Sequence, residues 1–409
     1  MTERIADRDL TCLLRGEAPQ DEELLDRLTV GLAFLTGFLQ KHYLTSYLPA
    51  GGSKIKFVTG RPGAGKTHLA RCLLREAKAL GYQTVAFSAG DVWLHDFREV
   101  YLEILRQCSI EEVLESCAGQ IIREMGHDPS ALGEGKRFLD YLAERGEGDA
   151  LSKGEIRGAL RRYFTRNPLL DSGFAACCSL LTGDILGYPV LEPANRELIL
   201  AWLNGDKTVK SAQLRSLGIH VSGITRYNAR NLLRSLCEVV HLGGHPGLLV
   251  VIDDLETLLN RGRDERMNYT RLRREDAYES IRQLIDDIDS MRRVMFVFCA
   301  DRELMDNENY GMRSYQALWL RIQNEVVSTR FNCFADIIDL DRYADGAYDA
   351  ETLLRMAEKL AETVRPSGIL PAAIDTADIS QIVQKAQYGG LGLPLLVNRA
   401  VLEGGGEND

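Results

Sequence analysis

The sequence predicts an α/β chain: a parallel β-sheet covered by helices on both faces, broken by a long helical insertion and followed by a helical C-terminal unit. Three observations carry that prediction. A short β-rich run, residues 55–59, leads into Gly60-x-x-x-x-Gly65-Lys66-Thr67, and an apolar helical pattern (Leu69, Cys72, Leu73, Ala77, Leu80) follows at once. Two further runs, residues 247–252 and 294–299, are almost continuously apolar and end in acids, as strands buried on both faces do. From about 109 to 245 the patterns are helical only, over a length too great for a loop.

Taken in order, residues 1–45 read as a helical segment. Leu24, Leu25, Leu28, Leu32, Leu35 and Leu39 recur near helical spacing behind Asp21, Glu22 and Glu23. Pro49-Ala50-Gly51-Gly52-Ser53 is a turn before the first strand, and Gly81 ends the next helix before a second strand over 82–88. A helix is expected over 96–108, then others around 111–124, 136–145, 154–165, 194–203 and 225–241. After the acidic strand end come an arginine-rich stretch over 261–274 and a helix over 275–290. The 294–299 strand, a helix around 317–326 and a short last strand over 337–340 follow. The chain thus divides into an N-terminal segment (1–45), two parts of a sheet core (46–108 and 246–345), the insertion (109–245), C-terminal helices (346–402) and a Gly- and acid-rich tail (403–409) expected to be disordered. Within the insertion, residues 213–236 could form a helix-turn-helix, a pattern too common to count alone.

Bulk properties narrow the function. A hydrophobic fraction of 45% and a charged fraction of 26% are those of a soluble globular protein. The net charge of -10 argues against sequence-independent nucleic-acid binding except through a local basic patch. Nine cysteines form no C-x-x-C pair, seven histidines form no zinc pattern, and the charged start is no signal peptide. The most apolar stretch, residues 174–191, contains Asp184 and is not read as a membrane span. A cytoplasmic protein is expected.

The glycine-rich loop carries the most specific chemistry. In Gly60-Arg61-Pro62-Gly63-Ala64-Gly65-Lys66-Thr67-His68, glycines let backbone N–H groups converge on phosphate oxygens, and the helix start adds partial positive charge. Lys66 is placed to reach the β- and γ-phosphates of ATP, and Thr67 to offer a hydroxyl to Mg²⁺. Asp253, at a strand end, is the expected carboxylate partner of that Mg²⁺. Hydrolysis also needs a group to orient or deprotonate water. Asp254 is the first candidate and Glu256 its competitor, since both would face one side of a strand; capping of the next helix is their plainer role. Asp301 could hold the water or sense the nucleotide, or simply cap the helix starting at Arg302. Arg330 is the candidate to reach a neighbour's γ-phosphate, with Arg313 and Arg321 as rivals and an internal salt bridge as the alternative. The arginines at 261, 263, 266, 271, 273 and 274 could contact nucleic acid, but interleaved acids make a solvated helix surface the commoner explanation.

These residues together resemble the AAA+ (ASCE) class of P-loop ATPases: Gly60–Thr67, Ile252-Asp253-Asp254, Cys299-Ala300-Asp301, Arg330-Phe331 and a C-terminal helical lid. More specifically, the chain resembles the BREX-type ATP-binding (BrxD-like) proteins of bacterial phage defence. That likeness rests on Lys56–Gly60, Ala201-Trp202-Leu203-Asn204-Gly205, Asn228–Leu233 and the run from His245 to Glu256. The resemblance implies a cytoplasmic ATPase working beside other defence proteins, a DNA helicase being one candidate; the first functional reading is an AAA+ ATPase that assembles with itself and uses ATP turnover to remodel or load a DNA-associated partner. Three departures stand out. Asp254 replaces the usual Glu, Gly392-Leu393-Pro394-Leu395 lacks the arginine that often follows that proline, and Val30-Gly31-Leu32 lacks the usual Gly-Arg-Glu. A slow-hydrolysing, nucleotide-gated switch or scaffold is the alternative reading, and an origin-recognition-like DNA binder a third.

Overall fold

The computed structural model describes residues 5–133, 135–259, 267–322 and 331–403. Arg330, Arg261, Arg263 and Arg266 lie outside the described residues, as does the tail from 404. Five parallel strands form one sheet: β1 (Ser53–Gly60), β2 (Gln83–Ser88), β3 (Leu248–Asp253), β4 (Val294–Asp301) and β5 (Ile337–Asp339), in the order β2-β3-β4-β1-β5. Side chains alternate across a strand, so each central strand feeds two cores. Leu248, Val250, Ile252, Phe296 and Phe298 pack on one face, in a core continuous with that of the insertion. Leu249, Val251, Met295, Val297 and Cys299 pack on the other, against the phosphate-loop helix Lys66–Ala79 and the helix Ala33–Leu39. The apolar runs read from the sequence are thus buried on both sides.

The insertion contains one helix that the expected series leaves out. Ser172–Leu186 buries Phe174, Ala175, Cys177, Cys178 and Leu181 at the centre of the insertion. It is apolar nearly all round because it is surrounded, so it has no stripe for periodicity to find. The suggested helix-turn-helix comprises the five-residue helix Ser211–Arg215 and Ala229–Leu242, which buries Leu232, Leu233, Leu236 and Val240. Among the described residues no helix is long and apolar enough to cross a membrane.

A third core joins the two ends of the described chain. Ile5, Leu13 and Leu24 pack with Leu353, Leu360, Ile382, Val397 and Val401 of the C-terminal helices. Asn398 Nδ2 donates to the carbonyl of Leu13 at 3.2 Å. On β1, Lys56 is fully buried. Its ammonium donates to the carbonyls of Cys333 (3.3 Å), Phe334 (2.8 Å) and Ala335 (2.6 Å), fixing the chain that enters β5.

Candidate nucleotide site

Strand register sets the site. Gly60 on β1 lies opposite Asp301 on β4, and Ser88 on β2 opposite Asp253 on β3. The carboxyl ends of four strands therefore meet at one rim, where ligands of parallel sheets sit. The loop after β1 turns into the 14-residue helix Lys66–Ala79 through Gly65, whose φ of 97° favours glycine. Gly63 is needed for a second reason: a Cβ there would lie 2.2 Å from Leu395 Cβ on the C-terminal helices.

Lys66 is buried, with Nζ 2.5 Å from Asp301 Oδ1 and 3.3 Å from the Gly60 carbonyl. Asp301 does stand at the N-cap position of Arg302–Asp306, but its carboxylate makes no cap bond and holds Lys66 instead. The Asp301 N–H donates to Glu256 Oε2 at 3.3 Å. Burial first, and then the Asp301 charge, pushes the Glu256 carboxyl up to about 7. The expectation that residues 254 and 256 share a strand face does not hold. β3 stops at Asp253, Asp254 takes φ 55°, and Leu255–Leu259 form a 3₁₀ turn. Both acids nonetheless line the same cavity. Asp254 as a residue is exposed, while its carboxyl is crowded by protein. Desolvation and then Asp253 raise its pKa, and a Ser88 hydrogen bond opposes them.

The cavity has a volume of about 600 Å³ and is lined by two chemically distinct sets of residues. Gly63, Gly65, Lys66, Thr67, Asp253, Asp254, Glu256 and Asp301 belong to the polar and phosphate-loop set. Leu28, Val30, Leu32, Tyr348, Met356 and Leu360 are among the apolar set. That division matches a ligand with an anionic tail and a flat apolar head. Thr67 and Asp253 supply hard oxygens of the kind Mg²⁺ takes, and Asp253 Oδ1 is partly used by the Asp254 N–H at 2.9 Å. Among the described residues no cluster of three or more His, Cys, Asp or Glu could hold a metal on its own. A hydroxyl and one carboxylate suit an ion that keeps waters and phosphate oxygens as its remaining ligands.

Arg61 points away from this cavity. Its backbone N–H and Nε donate to the two oxygens of Asp341, at 3.0 and 3.1 Å. Its Nη1 donates to the Gly389 carbonyl at 3.1 Å and to that of Ala386. The loop carbonyls of Pro62 and Gly63 accept from the N–H groups of Gly392 (2.9 Å) and Leu395 (3.3 Å). The phosphate loop is therefore tied to the C-terminal helices at several points. His68 lines the cavity while its Nε2 lies 2.8 Å from Thr29 Oγ1. Burial, then Arg71 and Arg75, lower its pKa to about 4, so the ring is neutral and anchors the N-terminal segment. Two participants were not singled out from the sequence. Arg71 Nη1 holds the carbonyls of Ala18 and Pro19 (2.6 Å), and Asp341 supports Arg61. Neither carries a motif; Asp341 is recognisable only as an acid just after the last strand.

A family model described as BREX system ATP-binding protein BrxC/D matches residues 1–125 and 181–401. The chain belongs to this family. The site residues described above all fall within the matched segments, whereas residues 126–180 of the insertion do not. ATP binding and membership of a BREX phage-defence system follow from the family. No curated protein and no solved structure compared with the chain gave a match.

Proposed function

We propose that this BREX ATP-binding protein is an AAA+-type ATPase that holds Mg·ATP in this cavity, with Lys66 on the phosphates, and couples its hydrolysis to a DNA-associated partner of the same defence system. The convergence of Lys66, Asp253, Glu256 and Asp301 at the strand ends carries this reading. Lys66 exchanges Asp301 for phosphate oxygens when nucleotide enters. Thr67 and Asp253 would hold Mg²⁺, which supplies charge neutralisation at the β- and γ-phosphates. Glu256 takes the attacking water's proton. Its pKa of about 7 suits a base at neutral pH, and Asp301 beside it helps orient it. Asp254 is the rival for that role. The apolar wall takes the base, and the C-terminal helices act as the lid. Self-assembly brings Arg330 to a neighbour's γ-phosphate.

The second reading, a slow nucleotide-gated switch, is favoured by the Lys66–Asp301 pair, which nucleotide must break, and by the short Asp254 side chain. Turnover of ATP measured beside particle size separates the two. Turnover that rises as subunits assemble supports the ATPase; tight ATP binding without turnover in any assembly supports the switch.

A further inference from the structure

Three arginine–aromatic pairs cluster beside a groove outside the nucleotide cavity. The Arg226 guanidinium lies 4.9 Å from the Tyr227 ring centre, and Arg226 Nη2 donates to Tyr227 Oη at 2.8 Å. Arg273 lies 4.8 Å from the Trp93 ring and Arg230 5.2 Å from that of Phe97. Trp93 also packs edge-on with His95 (5.0 Å) and Tyr269 (5.2 Å). His95, Phe97, Arg226, Tyr227 and Arg230 open on one groove of about 530 Å³. Tyr227 is 77% exposed, a large aromatic ring held out in solvent by its own neighbour.

We propose that this groove binds a single strand of nucleic acid, with Tyr227 stacking a base and Arg226 contacting a phosphate, and with Arg273, on Trp93 beside the groove, meeting the strand where it leaves. The proposal gives the DNA part of the reading above a place on the molecule and rests on that reading for the class of partner. An open aromatic face takes any base, and a guanidinium stacked on the same ring reinforces the platform. Charge is the main objection, because Asp276, Glu279, Asp286 and Asp287 also line the groove. Most of that charge is already neutralised. Arg282 holds Glu279 (2.5 Å) and also Asp286, Arg321 lies 2.5 Å from Asp286, and Arg230 holds Asp287 (3.0 Å). Arg226 and Arg273 enter no ion pair among the described residues, which leaves two cations for phosphate. Burial, then the Arg273 charge, lowers the pKa of His95, so it adds a ring rather than a charge. Stacking needs bases free of a partner strand, and an acidic protein lacks the broad cationic track that a duplex requires.

The test is fluorescence polarisation with a labelled oligothymidylate of about 16 nucleotides, a duplex of equal length and a labelled polyglutamate peptide. The single strand should bind best and weaken as salt rises. Tyr227→Ala should weaken it by about 5- to 100-fold, as loss of a stacked base does. Arg226→Gln should lower the salt slope by about one. Asp276→Asn should tighten binding by removing the acid that has no ion pair among the described residues; unchanged or weaker binding would count against phosphates running past it. Both Tyr227 and Arg226 are exposed, so the fold survives, and circular dichroism checks this. Unchanged affinity in both variants, equal binding of the duplex, or preference for polyglutamate each overturns the proposal. Thermal shift with Mg·ATP, run on the same samples, tests the nucleotide site independently: a lost shift with retained strand binding indicts the ATP reading alone.

Discussion

Lys66 Nζ sits 2.5 Å from the carboxylate of Asp301, so the cation that phosphate needs is already paired within the protein. Under the proposed function, nucleotide competes with an internal anion. Lys66→Ala should lose the thermal shift produced by Mg·ATP, because a ligand stabilises only a fold that binds it. Asp301→Asn should do the reverse at the binding step. It leaves Lys66 without its carboxylate, lowers the melting temperature of the free protein and enlarges the ATP-induced shift. A smaller shift in Asp301→Asn than in the wild type would show that the pair does not compete with nucleotide.

Glu256 offers a pH test. Its carboxyl titrates near 7 in the folded protein, well above an unfolded glutamate. The folded state thus holds this proton more tightly, so the contribution to stability is present below about pH 4.5 and is lost as pH rises through 7. Glu256→Gln should therefore stabilise the protein more at pH 8 than at pH 5, by up to about 3 kcal/mol. The same variant should bind ATP yet lose ~10²–10⁴-fold in turnover if Glu256 activates water. Wild-type kcat/KM should then fall as pH drops below 7. Asp254→Asn, assayed in parallel, assigns the role to Asp254 if it alone loses turnover.

Arg61 joins the phosphate loop to Asp341 and to the carbonyls at 386 and 389. Arg61→Ala removes charged hydrogen bonds worth about 1.5–3 kcal/mol each. Hydrogen exchange over residues 376–401 should accelerate, and ATP affinity should fall. Arg61→Lys should not restore either, since an ammonium cannot span a carboxylate and two carbonyls in one plane. Unaltered exchange in Arg61→Ala would detach the loop from control of these helices.

Arg330 carries the assembly prediction. Arg330→Ala should bind ATP normally and hydrolyse it ~10³–10⁵-fold more slowly. Mixing it with Lys66→Ala should restore part of the rate, because one subunit brings the arginine and the other the intact loop. A monomeric wild type with full turnover would sink the trans arrangement.

The features legible in the sequence were those with local signatures. The phosphate loop announces itself through four fixed positions, and β3 and β4 through runs with no polar face. Ser172–Leu186 did not, because burial on every side erases helical periodicity. The helix Arg271–Asp287 begins inside the arginine run, where charged residues mask the start signal. The strand argument for Asp254 and Glu256 failed because one left-handed residue ended the alternation. Nothing local marks Lys56 as buried; only tertiary contacts nearly 280 residues away explain a buried ammonium. Arg61 likewise carries no hint of Asp341, and nothing local places Leu13 or Leu28 in the cavity wall.

The bond from Asn398 to Leu13 and the core around it have a consequence for how the protein is made. The phosphate loop is synthesised before the helix Leu393–Glu403, whose Pro394, Leu395 and Val397 also line the cavity, so the lining is incomplete until that helix docks on the first helices. Contacts of such sequence separation form late and slowly. A nascent chain can thus present the loop to the cell's ATP while lacking part of the lining that would retain it, so nucleotide capture should follow the docking of this helix.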